Sequence, residues 1–354
     1  MVIRRYQKRD APKISDFIHR CFIRYADYEI RSHTSDYYAW KYAPNPWGKP
    51  IVWVAEMSNQ IVGLMAVVPK LLWINGETWF CGESGDTFMD PAAKGKNVFL
   101  DIANHVFDDC HQSGIQMIYG TPNRVSYDIV TKLFGYEELF SYRSMVRPLR
   151  FGPLIRLKLN VPWISSIMGK LTDDLHGCIY WPKARSVHFS LESVQEPDER
   201  IEALWTSMKV RIDCSVVKNR SYIQWRFIDC PEDFRVMMVK RENKPIGYAV
   251  FKYTNIHNLL CGHVADLTVS VDDNEWPALW NCLLTELKFQ KADLVNTWMV
   301  LDSPRTRIMK RLGFIMRKKP FWIVMRDEQK EVNQYPDIKD PLKWMFSQAD
   351  TDNI

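Results

Sequence analysis

The sequence predicts an α/β (α+β) protein of two successive domains, and three observations carry that prediction. Its 354 residues exceed one small domain and suit two, each of about 150–180 residues. A hydrophobic content of 46% and an aromatic content of 13% supply two cores and exclude global disorder. A rhythm of apolar strands and amphipathic helices also occurs twice along the chain, with its landmarks in the same order.

The first copy opens on Tyr37-Tyr38-Ala39-Trp40-Lys41-Tyr42, followed by the strands IVWVAE and IVGLMAVV. The second opens on Tyr222-Ile223-Gln224-Trp225-Arg226-Phe227, followed by RVMMVK and PIGYAVF. Trp40 lies 23 residues before Gly63, and Trp225 lies 22 before Gly247. Further on, Asp86-Thr87-Phe88-Met89 and Asp266-Leu267-Thr268-Val269 each read as a strand leading into a helix, predicted over 99–112 and 278–290. Apolar residues recur there at three- and four-residue intervals. A strand, a polar turn and a second helix follow, ending at Gly135-Tyr136 or Gly313-Phe314, where glycine fits a helix C-cap. The expected organisation is thus a domain over 1–142, a linker with a helical segment over 143–184, a second domain over 185–326 and a polar tail over 327–354. The linker is basic, apolar and interrupted by Pro148, Pro153 and Pro162. It reads as a helical segment packing on both halves, with a membrane-touching surface as the alternative. The tail is expected to pack loosely, with Trp344-Met345-Phe346 as its potential anchor.

Net charge is +5, and the 47 Lys and Arg residues are scattered rather than gathered into a stripe. That pattern argues against a nucleic-acid partner and suits an anionic small ligand such as a phosphorylated cofactor. The eight cysteines include no CxxC pair and the eight histidines no HExxH. Neither a metal site nor a disulfide framework is expected, and free thiols in a reducing cytoplasm are the economical reading. The most apolar stretch, Ile61–Val68, ends at Pro69-Lys70, far short of a spanning helix, so no stable membrane insertion is expected. The amino terminus has charge without an apolar run behind it, unlike a signal peptide.

The sharpest local signal is GDTFMDPAAKGKNVFLDIANHVF, residues 85–107. A strand runs to Asp90-Pro91, a small and basic loop follows, and a helix starts near Val98. Such a junction aims several backbone N–H groups at one point, with the positive end of the helix dipole behind them, and accepts a pyrophosphate. Gly95 lets the chain turn without a Cβ clash, and Asn97 is among the few other residues that tolerate positive φ. Lys94 and Lys96 add cationic charge. In the second half the same place reads Val271-Asp272-Asp273-Asn274-Glu275-Trp276-Pro277, with no glycine and three carboxylates where phosphates would sit.

On these residues the chain resembles the GNAT superfamily of acyl-CoA-dependent N-acyltransferases. Ala92-Ala93-Lys94-Gly95-Lys96-Asn97 is similar to the family's [Q/R]xxGx[G/A] loop, with Ala92 and Asn97 as departures. YGTPNRVSYDIVTKLFGYEE (119–138) is similar to the family's closing stretch. The resemblance covers about residues 3–140, and more weakly 185–325. It implies two GNAT-like domains, each a mixed, mainly antiparallel twisted sheet flanked by helices, the second degenerate. Acetyl-CoA or another acyl-CoA is then the co-substrate. By the likeness, Lys94, Gly95, Lys96, Asn97 and Val98 meet the phosphates, Phe88 and Met89 the pantetheine, and Asn123 with Ser126 the thiol end.

In such a reaction an amine must lose a proton before it attacks the thioester. Glu83 stands where the family often carries the base, and Asp86 is the runner-up. Where the family commonly has a tyrosine that protonates the thiolate, this chain has Thr131. Tyr127, one helical turn earlier, or water is left for that role. Tyr37, Trp40 and Trp47 are the acceptor-site residues to weigh, although the duplicate pair Tyr222/Trp225 favours a core role for the first two. The acceptor implied is a small primary amine, with an amino sugar of bacterial polysaccharide synthesis preferred. Two other readings stand beside it: a Fem-type aminoacyl transferase, in which a basic groove and an inserted helical hairpin are expected, neither of them evident in the sequence, and a catalytically silent binding protein.

Overall fold

The structure is a computed structural model and describes residues 1–25, 33–93, 97–159, 162–180, 187–329 and 335–352. The chain forms two compact units, and neither is continuous in sequence. Unit 1 comprises Met1–Phe140, Lys209–Glu232 and Trp322–Trp344; unit 2 comprises Ser141–Met208, Asp233–Phe321 and Met345–Ile354.

In unit 1, β1 (Val2–Arg5), β2 (Ile51–Met57), β3 (Gln60–Ile74) and β4 (Glu77–Met89) are successive antiparallel neighbours. β4 then pairs in parallel with β5 (Met117–Gly120). Helices α1 (Ala11–Tyr25), α2 (Ser35–Lys41), α3 (Val98–Gln112) and α4 (Arg124–Leu133) belong here. The amphipathic pattern of α3 places Val98, Ile102, Val106 and Cys110 in one core with Ala55, Val62, Met65 and Ile118 of the sheet. The contact is close, since a Cβ on Gly63 would stand 2.9 Å from Ile102. α4 ends at Gly135, whose φ of 67° continues the chain left-handed, as the sequence predicts for a C-cap glycine.

In unit 2 the sheet runs from β6 (Glu137–Pro148), which leaves unit 1 at Phe140, to β12 (Leu294–Val300), β11 (Leu259–Val269), β10 (Lys244–Ile256), β9 (Phe234–Arg241) and β7 (Phe189–Val194). Of these strand pairs among the described residues, β11–β12 alone is parallel. The helices are α5 (Phe151–Leu159), α6 (Pro162–Tyr180), α7 (Glu199–Lys209), α9 (Trp276–Phe289) and α10 (Pro304–Arg311). Trp276, Leu279, Trp280, Leu283 and Leu287 of α9 fill the core against Val239, Phe251, Val264 and Val295.

Three features depart from the repeat read along the chain. The closing strand β13 (Ile315–Asp327) passes into unit 1 at Trp322, where Val324–Asp327 pairs antiparallel with β5. β8 (Cys214–Val216) and α8 (Arg220–Ile223), with a π-helical turn over Gln224–Ile228, also belong to unit 1, and β8 pairs with Leu72–Ile74 of β3. The third is the linker: β6 continues through Arg143 to Pro148, so helix begins only at Phe151. α5 and α6 then pack as a pair, two helices where the sequence reading expected one helical segment. The loosely packed tail is corrected as well. Ala349, Asp350 and Thr351 are buried, Trp344 packs on Phe140, and Phe346 packs on Tyr142. Apolar anchors at 344 and 346 draw the polar residues after them inside.

Candidate active site

The junction between β4 and α3 is a strand–turn–helix connection. Parallel pairing with β5 covers Cys81–Ser84 against Met117–Gly120, and β5 ends there. The last pair is tight, for a Cβ on Gly120 would lie 2.8 Å from the Ser84 carbonyl oxygen. β4 runs on through Gly85–Met89 with β3 along its other edge. Its peptide groups on the β5 side therefore extend past the end of that neighbour. The Asp90 N–H donates to the Val62 carbonyl at 2.8 Å, and Ala93, buried, closes a turn onto the Asp90 carbonyl at 2.9 Å.

Lys94, Gly95 and Lys96 lie outside the described residues. Asn97 follows with φ 53°, the left-handed conformation that its side chain tolerates. Asn97 makes no side-chain cap bond to α3, so the first-turn N–H groups keep the donor capacity that helix ends carry. Val98 is 1% exposed and packs into the core, so what it presents outward is backbone. Phe88 and Met89 are half-buried on β4, with Met89 against the core.

Glu83 lies within the paired part of β4. Its Oε2 stands 3.0 Å from Nζ of Lys70, with the two side chains 7% and 1% exposed. The Lys70 ammonium is also 5.1 Å from the centre of the Trp225 ring and 5.7 Å from that of Tyr222, a cation–π geometry. Trp40 stacks on Trp225 at 5.1 Å, while Trp47 meets Trp225 edge-on at 5.5 Å and Tyr222 at 6.0 Å. Asn45 fixes the Trp47 turn. Its Oδ1 accepts from the Trp47 and Gly48 N–H groups, and its Nδ2 donates to the Pro69 carbonyl at 2.8 Å, next to Lys70. Tyr37 stacks on His33 at 3.7 Å and is 3% exposed, a core position.

Asp86 sits in a β-bulge, where Asp86 and Thr87 face Met65 alone, and its φ is 46°. Its carboxylate accepts from Lys41 Nζ and, at 2.8 Å, from the Tyr42 hydroxyl. Burial first, and then the Asp86 charge, hold the Tyr42 phenol well above its ordinary pKa, so it stays a donor. Asp86 thereby ties α2 to β4.

Asn123 is the N-cap of α4, its Oδ1 accepting from the N–H groups of Val125 and Ser126 at 2.9 Å each and from the Ser126 hydroxyl at 3.2 Å. Tyr127 donates its hydroxyl to Glu138 at 2.6 Å, a bond that raises the phenol pKa, and its ring leans on Trp322 at 4.9 Å. Thr131 donates to the Tyr127 carbonyl. The phenol proton is therefore held by Glu138.

Lys70, Lys41 and Arg226, all at this site in unit 1, were missed from the sequence. One signal pointed at part of it: Cys81-Gly82-Glu83-Ser84-Gly85-Asp86 and Cys261-Gly262-His263-Val264-Ala265-Asp266 align without a gap. The separate repeat of Tyr37–Tyr42 at Tyr222–Phe227 makes Lys41 and Arg226 counterparts, one at Asp86 and the other feeling the Glu83 charge.

Comparison with known proteins fits this geometry. The acetyltransferase (GNAT) domain family matches residues 2–139. No curated protein matches the chain in sequence. Among solved structures, a GCN5-related N-acetyltransferase from Anabaena variabilis superposes with a TM-score of 0.63 at 12% identity, over 93% of this chain and 73% of that one. An Enterococcus faecalis protein described as a probable N-acyltransferase gives 0.63 at 11%, over 94% and 74%. Saccharomyces cerevisiae N-myristoyltransferase with bound myristoyl-CoA gives 0.62 at 13%, over 92% and 78%. At these identities the likeness is one of fold, and it extends over most of the chain.

Proposed function

We propose, from the premise that residues 2–139 are a GNAT acetyltransferase domain, that the chain transfers an acyl group, most simply acetyl, from CoA to a small primary amine. The observation that carries this reading is the open continuation of β4 beyond its last pair with β5, leading into α3 with Asn97 left-handed before it. In this reading the peptide groups of Gly85–Met89 bond the pantetheine amides, as a strand would. Phe88 and Met89 supply the apolar contact, and the N–H groups from Lys94 to Val98, with the helix dipole, hold the diphosphate. Asn123 and Ser126 lie towards the thiol end.

The amine arrives protonated and must lose its proton to attack. Glu83 is the proposed base, directly or through a water, with Asp86 set aside by its ties to Lys41 and Tyr42. The amine nitrogen then bonds the thioester carbonyl carbon, the C–S bond breaks, and the thiolate takes a proton from water or from Tyr127 once Glu138 releases it. Trp47, with Trp40 and Trp225 behind it, forms the aromatic wall proposed for the acceptor, and an amino sugar suits such a wall. An amino sugar remains the preferred acceptor and the cytoplasm the preferred compartment.

The second reading is a catalytically silent binding protein. It is favoured by the Lys70–Glu83 pair, which a base must loosen before it can take a proton. Release of free thiol from acetyl-CoA in the presence of an amine panel separates the two. Turnover that rises with amine concentration supports the transferase. Thermal stabilisation by acetyl-CoA, about 2.7 kcal/mol at 100 times its Kd, without thiol release from any amine supports the binding protein.

A further inference from the structure

We infer that Lys70 is acylated in cis, because its amine stands beside Glu83 where the acceptor's amine must come. This rests on the transferase reading above, in which Glu83 is the base. Lys70 lies on β3 opposite Cys81, and Glu83 follows two residues along β4, opposite Val68. Side chains alternate along a strand, so Cys81, Glu83 and Lys70 share one face of the sheet. The other face packs on the α3 core, where a Cβ on Gly82 would stand 2.3 Å from Val67 and 3.4 Å from Ile115. On the first face Lys70 Nζ stands 3.0 Å from Glu83 Oε2. The rings of Trp225 and Tyr222, at 5.1 and 5.7 Å, help to hold the ammonium there. All of these residues belong to unit 1.

A base takes a proton directly only from an amine within hydrogen-bond reach, about 2.6–3.2 Å. An acceptor amine that uses Glu83 directly must therefore come to where the Lys70 amine already stands. The same strand brings the thioester near. Glu83 faces Tyr119 in the parallel pairing, which ends one residue later at Ser84 and Gly120. With the pantetheine along Gly85–Met89, its thiol end lies at Gly85, two residues or about 7 Å of strand from Glu83. Lysine carries its amine on a flexible four-carbon stem and is a common target of acetylation. In the step, Glu83 takes one proton from the ammonium, and the free Nζ bonds the acyl carbonyl carbon. The C–S bond breaks, a second Nζ proton passes to the thiolate, and Glu83 releases its own proton to water. Nζ keeps one hydrogen, as a neutral amide. An external amine needs the same base, so turnover and Lys70 acylation compete.

Peptide mapping by mass spectrometry tests this on the full chain, after incubation with acetyl-CoA and no added amine. One acetyl group per chain is expected, on Lys70. Glu83→Gln should slow its appearance about 10²-fold or more, and an unchanged rate overturns the inference. Lys70→Arg keeps a cation for Glu83 but should take up no acetyl group, since a guanidinium does not deprotonate. Should either variant fail to fold, the unaltered chain decides. Acetyl confined to Lys70 supports the inference. Acetyl on Lys41, whose ammonium lies on Asp86, overturns it, as does acetyl spread over the lysines as in the chain unfolded by urea. An unmodified Lys70 overturns it too, and a parallel assay with external amines then shows how far the failure reaches. Thiol release there leaves the transferase reading standing alone, and its absence removes both.

Discussion

The turn after β4 and the turn after β11 stand at the same place in the two halves and are built in opposite ways. In unit 1 the turn is small and basic in sequence, Asn97 stands left-handed before α3, and its side chain makes no cap bond to the helix. In unit 2 the turn is filled by its own side chains. Val271 and Trp276 are buried, Glu275 takes Arg241 at 2.9 and 3.0 Å, and Asp273 takes Arg305, whose guanidinium lies 4.2 Å over the Trp276 ring. The parallel strands part in both units: β11 pairs with β12 only over Cys261–His263 and continues to Val269. The sheet alone therefore does not make a cofactor site. What the loop places at the helix start decides whether an anion meets donors or carboxylates already holding arginines.

The same comparison, one strand position earlier, sets Glu83 against His263. Glu83 lies in an ion pair, whereas His263 is hydrogen-bonded to neutral groups, Thr254 at 2.9 Å and Asn296 at 3.1 Å. Replacing the proposed base should therefore separate the halves most strongly. Glu83→Gln is expected to lower kcat about 10²–10⁴-fold with acetyl-CoA affinity kept, and His263→Gln to leave kcat within about twofold of wild type. Steady-state kinetics on one amine reads both. Equal losses would erase the distinction.

Stability sharpens it next. Lys70→Met leaves the Glu83 carboxylate buried without its ammonium, and removing one partner of a buried pair costs about 3–5 kcal/mol. Urea unfolding should show that loss in unit 1. In unit 2 the counterpart of Asp86, Asp266, accepts from the hydroxyls of Tyr248 and Thr268, so Tyr248→Phe should cost less, about 1–3 kcal/mol.

Acid adds a third contrast. Burial, and after it the Lys252 charge, lower the His263 pKa from 6.5 to about 4, while a bond from Gln348 opposes them. The folded chain holds His263 neutral down to about pH 4, whereas the unfolded chain takes up its proton near 6.5. Stability from this group is therefore full above pH 6.5 and is lost as pH falls towards 4, by up to about 3 kcal/mol. In His263→Gln that part of the pH dependence should flatten. The smallest effect belongs to Arg305→Ala, whose pair with Asp273 is 37% and 49% exposed. It should cost about 1 kcal/mol or less and leave CoA binding untouched.

What was legible in the sequence was whatever depends on local order. The strand-to-helix junction at 89–98, the positive φ at Asn97 and the glycines after α4 and α10 each follow from a few neighbouring residues and their backbone preferences. The acidic turn at 272–275 was legible too, although its arginine partners were not. Long-range pairing escaped. Nothing near β13 announces that Val324–Asp327 will lie beside β5, and nothing near Trp225 that it will face Trp40 across 185 residues of chain. Lys70 was hidden for a different reason. At the end of an apolar strand it reads as an exposed terminus, yet it is 1% exposed because β3 continues to Ile74 and aromatic rings from residues 222 and 225 cover it. Tyr127 was chosen by helical spacing, which cannot anticipate a carboxylate on the next strand, Glu138, taking its hydroxyl.

Isothermal titration with acetyl-CoA reaches the central claim most directly, because it counts sites as well as strength. One equivalent should bind per chain. Lys94→Glu with Lys96→Glu should remove it, and Asp272→Ala should leave both stoichiometry and Kd as they were. Two equivalents per chain, or a site lost through the change at residue 272 and kept through the changes at 94 and 96, would contradict the assignment of the cofactor to the first half.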